Sequence, residues 1–300
     1  MKQRVITGLI MAVIFIPLLI IGGIPFYCLI AAAIGWAMYE LMHATEGDIN
    51  KDDIPTRCLS WPIWLIALSA LLTIFGALYP YFVSLFNGDG FVFSSISVPI
   101  IPFAILAFSL FVGSVFYPNV NIQDTFLVLA MSTFLMIGGQ SVGLIRDMGW
   151  QFIAFALLTC FITDMSAYFV GMFCTKRFAT HKLNERISPK KTIEGSIGGI
   201  VFGTLIPFLV TLIPSMHLVN DNVFGISIEW WLVLILSLIM SIIAQVGDLT
   251  FSAIKRHYGI KDYSQIFPGH GGVLDRLDSI LFNMIFFAVV VMIIATKTMF

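Results

Sequence analysis

Nine apolar runs, each near the length of a bilayer-spanning helix, recur along this 300-residue chain. They lie at Val5–Ile21, Pro25–Met42, Trp61–Tyr79, Val98–Phe116, Phe126–Leu144, Phe152–Phe173, Ile197–Ile213, Trp230–Ile254 and Ile280–Ala295. A helix of about 20 residues crosses the roughly 30 Å hydrocarbon layer. Several runs are apolar all round, which a surface helix of a soluble domain is not. Charged residues make up 11% of the chain, against roughly 25% in a soluble domain, so most of the outer surface must face lipid. The expected fold is an all-α integral membrane protein with about nine transmembrane helices.

Met1-Lys2-Gln3-Arg4 and the apolar run behind it have the look of a signal peptide. No small-residue cleavage site follows, so this segment is expected to stay as the first transmembrane helix. The distribution of Lys and Arg tests the span count, because cytoplasmic loops collect both. With the N-terminus in the cytoplasm, the cytoplasmic segments hold fourteen of the sixteen basic residues, and the outer side holds Arg146 and Lys297. A missing or extra span would scramble that split. An odd number of spans and an outer C-terminus follow, with the N-terminal region (1–150) supplying about five spans. The C-terminal region (151–300) is expected to carry the chemistry, on cytoplasmic loops at about 175–196 and 255–279.

Composition excludes some functions. No strongly basic domain exists, so nucleic acid is not an expected partner. Cys28, Cys58, Cys160 and Cys174 form no C-x-x-C pair and read as isolated packed thiols rather than a zinc site. The two halves do not resemble each other, which weakens an inverted-repeat transporter reading.

Acids at membrane depth are costly and point to function. Two stand out, Asp164 and Asp248. For each, a structural carboxylate capped by a neighbouring hydroxyl or Lys is the plain alternative. Asp248, Ser252 and Lys255 are spaced i, i+4, i+7, which on a helix puts an anion, a hydroxyl and a cation on one face. Arg256, Lys261 and Asp262 follow, and then Gly269-His270-Gly271-Gly272. Glycines let successive N–H groups turn toward one point, and such nests bind phosphate. A helix starting just afterwards adds its positive end. Asp275 and Asp278, at i and i+3, lean to one side of that helix, with Arg276 between them. Paired carboxylates beside a phosphate nest suit Mg2+, which usually keeps one or two carboxylates plus substrate phosphates. His270 reads equally as a donor to substrate and as a residue that caps or orients a neighbour.

The other loop contains Arg186-Ile187-Ser188-Pro189-Lys190-Lys191-Thr192-Ile193-Glu194-Gly195. Ser188 before Pro189 is an N-cap followed by a first helical residue, so Lys190, Lys191 and Thr192 are expected around a helix N-terminus as a second anion site. Gly195, Gly199 and Gly203, four residues apart, read as a surface for close helix approach.

Two phosphate sites and a carboxylate-bound cation at the cytoplasmic face suit phosphoryl or nucleotidyl transfer between a soluble and a lipid substrate. Positioning and charge neutralisation carry most of such chemistry. A transporter or channel using intramembrane acids is the alternative from another class, but it does not explain the gathering of nest, acids and cations.

The run from Ser252 to Asp278, with Lys255-Arg256, Lys261-Asp262, Ser264, Phe267-Pro268-Gly269-His270-Gly271-Gly272-Val273 and Asp275-Arg276-Leu277-Asp278, resembles the signature of the phosphatidate cytidylyltransferase family. The Ser188-Pro189-Lys190-Lys191-Thr192-x-Glu194-Gly195 and Gln245-x-Gly247-Asp248 elements resemble it too. The resemblance implies a membrane-embedded, often dimeric helical enzyme in a bacterial inner membrane. It implies that CTP and phosphatidate give CDP-diacylglycerol and pyrophosphate with Mg2+, with place for a second cation. By the same resemblance, Asp248 and Asp275 build the metal centre with Asp278 as a third contributor. Ser188, Lys190, Lys191, Thr192, Glu194, Ser252, Lys261, Asp262, His270, Gly271, Gly272 and Arg276 then meet substrate, Lys255 and Arg256 assist catalysis, and Asp164 is an additional candidate. A CTP-dependent polyprenol kinase is a related alternative. The D-G-x-x-A-R motif of CDP-alcohol phosphotransferases is absent.

Overall fold

The computed structural model describes residues 2–45, 61–87, 99–177, 181–213, 216, 222–223, 226–227, 229–267, 269 and 271–299. Among them are nine helices: α1 (Lys2–Ile21), α2 (Gly23–Ala44), α3 (Ile63–Asn87), α4 (Ile100–Phe116), α5 (Ile122–Met148), α6 (Trp150–Arg177), α7 (Ile193–Thr211), α8 (Trp230–His257) and α9 (Leu274–Met299). Two antiparallel hairpins are the remaining regular structure described: β1 (Lys182–Asn184) with β2 (Ser188–Thr192), and β3 (Asn222–Val223) with β4 (Ile226–Ser227).

Each helix coincides with one of the nine apolar runs. Seven are long and apolar enough to cross a membrane; the shorter two are the apolar stretch Thr7–Ile21 of α1 and α4. Lipid-facing character shows in what the helices leave uncovered. Ile100, Ile101, Phe108, Val115 and Phe116 of α4 are all exposed apolar side chains. Helices such as α6 and α8 run past the ends of their apolar stretches, because backbone hydrogen bonding continues the helix into the polar boundary.

The chain divides into two compact units, Met1–Leu144 with Ile254–Leu277, and Ile145–Ala253 with Asp278–Phe300. In the first, α2 packs on α3 and α3 on α4. Polar contacts pin this apolar core: Gln140 Nε2 donates to the Gly76 carbonyl at 2.7 Å, and Trp61 Nε1 donates to Thr45 Oγ1 at 2.9 Å. Tyr27 stacks on Tyr81 at 3.9 Å between ring centroids. Tyr258, just past α8, donates to the buried Asp124 at the start of α5 at 2.8 Å.

In the second unit, α6 and α7 make the closest helix pair. The glycine ladder explains it. A Cβ on Gly203 would stand 2.1 Å from Thr163 Oγ1, and one on Gly195 would stand 2.6 Å from the Ala167 carbonyl. Absent side chains let the two backbones meet, as expected from the four-residue spacing. The same ladder faces α8, where Gln245 bonds the Ser196 hydroxyl and carbonyl. Helix α9 packs by Phe282 against Phe251 and by Phe287 against Phe152 and Phe155.

Candidate active site

The candidate side chains fall into two clusters, one in each unit. In the second unit the polar hairpin β1–β2 leads into α7. The structure corrects the expectation for this loop: Ser188 and Pro189 do not open a helix. Ser188–Thr192 is a strand, registered with Lys182–Asn184. The reversal between them is fixed locally, since Asn184 Oδ1 accepts from the Ile187 N–H at 3.2 Å. Pro189 is tolerated because this hairpin is all edge. The helix begins at Ile193, where Thr192, in extended conformation, accepts from the Gly195 N–H at 3.1 Å and acts as N-cap. Thr192 therefore satisfies an orphan helix donor, a role its hydroxyl fills as well as serine's. Glu194 holds His181, accepting from its backbone N–H at 3.1 Å and lying 2.9 Å from its Nδ1. Lys182 donates to the Pro189 carbonyl at 2.8 Å, while Lys190 is exposed.

One consequence of the strand is decisive. It aims Lys191 at Asp248 of α8, 57 residues away in sequence, and the two form an ion pair at Asp248 Oδ2. Ser252, one turn further along α8, places its hydroxyl 3.4 Å from Asp248 Oδ1. The face predicted for Asp248 and Ser252 is present. Gly247 lets α8 press against α9, since a Cβ there would lie 2.8 Å from the Asp278 carbonyl. Asp278 is buried, and its Oδ1 accepts from the Ser279 N–H at 2.6 Å. Asp164 is exposed on α6, and both it and Asp278 lie within electrostatic reach of Cys160. Cys160 in turn accepts from Asn283 Nδ2 at 2.9 Å. Carboxylates from α6, α8 and α9 are thus carried by three helices packed in one unit.

In the first unit, Lys255 meets Asp275 at 2.5 Å as a buried ion pair, with side chains 9% and 5% exposed. Asp275 Oδ2 also accepts from the Tyr263 N–H at 2.9 Å and the Gly272 N–H at 3.0 Å. The glycine loop turns tightly: Phe267 N–H donates to the Gly271 carbonyl at 3.1 Å, and Gly269 and Gly271 have φ of 79° and 82°. Those values are readily adopted by glycine. N–H groups at the end of the loop and the start of α9 are turned onto anions. The anions in this structure are the protein's own: Asp275 takes Gly272, and Glu40 of α2 takes Val273 and Leu274. Arg256 donates to the Ile260 carbonyl at 2.8 Å, and Lys261, Asp262 and Arg276 are exposed. His270 lies outside the described residues.

Sequence reasoning missed Glu40. It lies inside the second apolar run, and an acid within such a run was the available signal.

Carboxylate oxygens that already face ammonium groups are the donor chemistry a divalent cation takes. Among the described residues no three Asp, Glu, His or Cys side chains lie close enough to hold a metal by themselves. Mg2+ does not need three, because substrate phosphates and water complete its shell. Asp248, whose Oδ2 faces the Lys191 ammonium, is a carboxylate of that kind in the second unit, and Asp275, whose Oδ1 faces the Lys255 ammonium, is one in the first.

Comparison with known proteins identifies the family. The model of the cytidylyltransferase family matches residues 2–294. A Bacillus subtilis protein named phosphatidate cytidylyltransferase is 33% identical over 296 residues, covering 95% of this chain and 96% of the relative. Proteins of the same name from Staphylococcus epidermidis and Staphylococcus haemolyticus are each 32% identical, covering 94% of this chain and 95% of theirs. The chain belongs to the cytidylyltransferase family.

Proposed function

We propose that this chain carries out the reaction its relatives are named for: CTP and phosphatidate give CDP-diacylglycerol and pyrophosphate. The observation that carries the reading is the Lys191–Asp248 pair. It brings two separate signature elements, one on the hairpin β1–β2 and one on the apolar helix α8, to one polar point.

The chemistry follows from the groups present. An oxygen of the lipid phosphate attacks the α-phosphorus of CTP, a new P–O–P bond forms, and the bond to the β-phosphate breaks to release pyrophosphate. A phosphate monoester has a second pKa near 6, so the attacking oxygen is already largely unprotonated at neutral pH and needs no general base. The protein's task is to hold two anions in line and offset their repulsion. Lys191 and Lys190 on β2, and Lys261, Arg256 and Arg276 around the glycine loop, are the cations assigned to substrate phosphates. We assign Asp248 and Asp278 to Mg2+. Bound there, Mg2+ supplies charge neutralisation between the substrates and at the leaving pyrophosphate. The excess of Lys and Arg in the loops bearing these groups supports a cytoplasmic-facing site in a bacterial inner membrane. A homodimer, common in this family, is part of the same reading.

The test is turnover by protein purified in detergent, with labelled CTP, dCTP or ATP, phosphatidate as acceptor, and Mg2+. CDP-lipid and pyrophosphate formed in equal amounts are expected with CTP. Release of CDP with a phosphorylated acceptor would replace this reading with a kinase, and absence of any nucleotide-dependent product would remove it.

A further inference from the structure

We propose that Glu40 is a positioning residue for this reaction, supplying from the N-terminal helices the anion that seats the glycine loop and the first turn of α9. The inference rests on the proposed function for its link to catalysis, but its geometry stands apart.

Helix α9 begins at Leu274, and the residue before it is Val273, whose side chain has no oxygen with which to cap a helix. The first N–H groups of a helix nevertheless need acceptors. Glu40 provides them from 234 residues away: Oε2 accepts from the Leu274 N–H at 2.7 Å, and Oε1 from the Val273 N–H at 3.0 Å. The same Oε1 accepts from Ser264 Oγ at 2.5 Å and from Trp36 Nε1 at 3.0 Å. Glu40 is 1% exposed, and none of the ion pairs among the described residues includes it. All four partners are donors, so both oxygens act as acceptors at the positive end of α9, where an anion is favoured.

Two features give the contact a purpose beyond burial. Its donors bracket the glycine loop, Ser264 on one side and Val273 and Leu274 on the other, so one carboxylate closes the loop's ends. Asp275, the residue after Leu274, collects Tyr263, Gly272 and Lys255. Second, the backbone at Gly272 has been brought so close that an added Cβ would stand 2.6 Å from both Glu40 oxygens. Glycine is needed there for Glu40 to reach the helix end. Glu40 thereby sets where Asp275 and the loop's basic groups stand when substrate arrives.

Glu40→Gln tests this directly. The amide keeps the size but must turn an N–H2 group toward donors. In the detergent assay we expect kcat to fall at least tenfold against the wild type. Amide hydrogen exchange should quicken at 263–274 while α3 and α5 keep wild-type protection. Wild-type kcat with unchanged loop exchange would overturn the proposal, as would a loss of activity that merely tracks the fraction of unfolded protein. Should Glu40→Gln fail to fold, the size match gives a second route. Gly272→Ala should lower kcat, and Glu40→Asp in the same chain, which draws the carboxylate back by one methylene, should restore at least fivefold; no restoration would overturn the proposal. Wild-type protein that makes no CDP-lipid would count against the assigned reaction alone, because the exchange measurement reads the Glu40 contact without turnover.

Discussion

Asp275→Asn is expected to damage the fold of its unit as well as the reaction. In the structure Asp275 Oδ1 holds the Lys255 ammonium, and its Oδ2 holds two backbone N–H groups. The substitution leaves Lys255 as a charge 9% exposed without an opposite charge. Removing one partner of a buried pair costs about 3–5 kcal/mol, because the survivor stays desolvated. For a domain of this size each kcal/mol moves Tm by about 2–4 °C, so the expected drop is about 6–20 °C. Thermal unfolding of purified wild type and variant in the same detergent measures it. Lys255→Met completes a double-mutant cycle: the paired variant should be less destabilised than the sum of the singles, because neither charge is stranded. A Tm within about 2 °C of wild type together with lost turnover would refute the reasoning, leaving Asp275 as a group that acts on substrate or metal and contributes nothing to the fold.

The pair in the other unit should behave differently. Lys191 and Asp248 are 31% and 26% exposed, and ion pairs open to solvent contribute about 0–1 kcal/mol. Lys191→Ala should therefore leave Tm nearly unchanged while raising the KM for CTP by about tenfold or more, the loss of one charge-assisted bond; an unchanged KM for CTP, or an equal rise for phosphatidate, would contradict its place at the nucleotide. Gly203→Ala puts a methyl group onto Thr163 Oγ1 and should destabilise the α6–α7 pair by about 1–3 kcal/mol. Thr163→Ala in the same chain should recover part of that loss in thermal unfolding, whereas no recovery would mean that the contact is not what holds the helices.

The span pattern follows from the solvent. A bilayer accepts only long apolar stretches, so each of the nine runs declared a helix whatever its neighbours were. The Gly195–Gly199–Gly203 ladder declared a close approach because side-chain absence is itself the feature. Asp248 was legible because a carboxylate in an apolar run is costly, and Ser252 because one helical turn fixes their spacing. Local rules misled at Ser188 and Pro189. The dipeptide matches a helix start, yet pairing with Lys182–Asn184 and a better-placed cap at Thr192 made it a strand.

Which charges pair with which came from packing. Lys255 was expected beside Asp248 on one helix face, but its ammonium meets Asp275, while Lys191 arrives at Asp248 from a hairpin. Glu40 reaches the start of α9 across most of the chain. Helical periodicity specifies which side of a helix a residue occupies and nothing about which distant segment docks there. That choice belongs to the packing of many helices at once, and it selects which buried charges find counter-charges or amide donors.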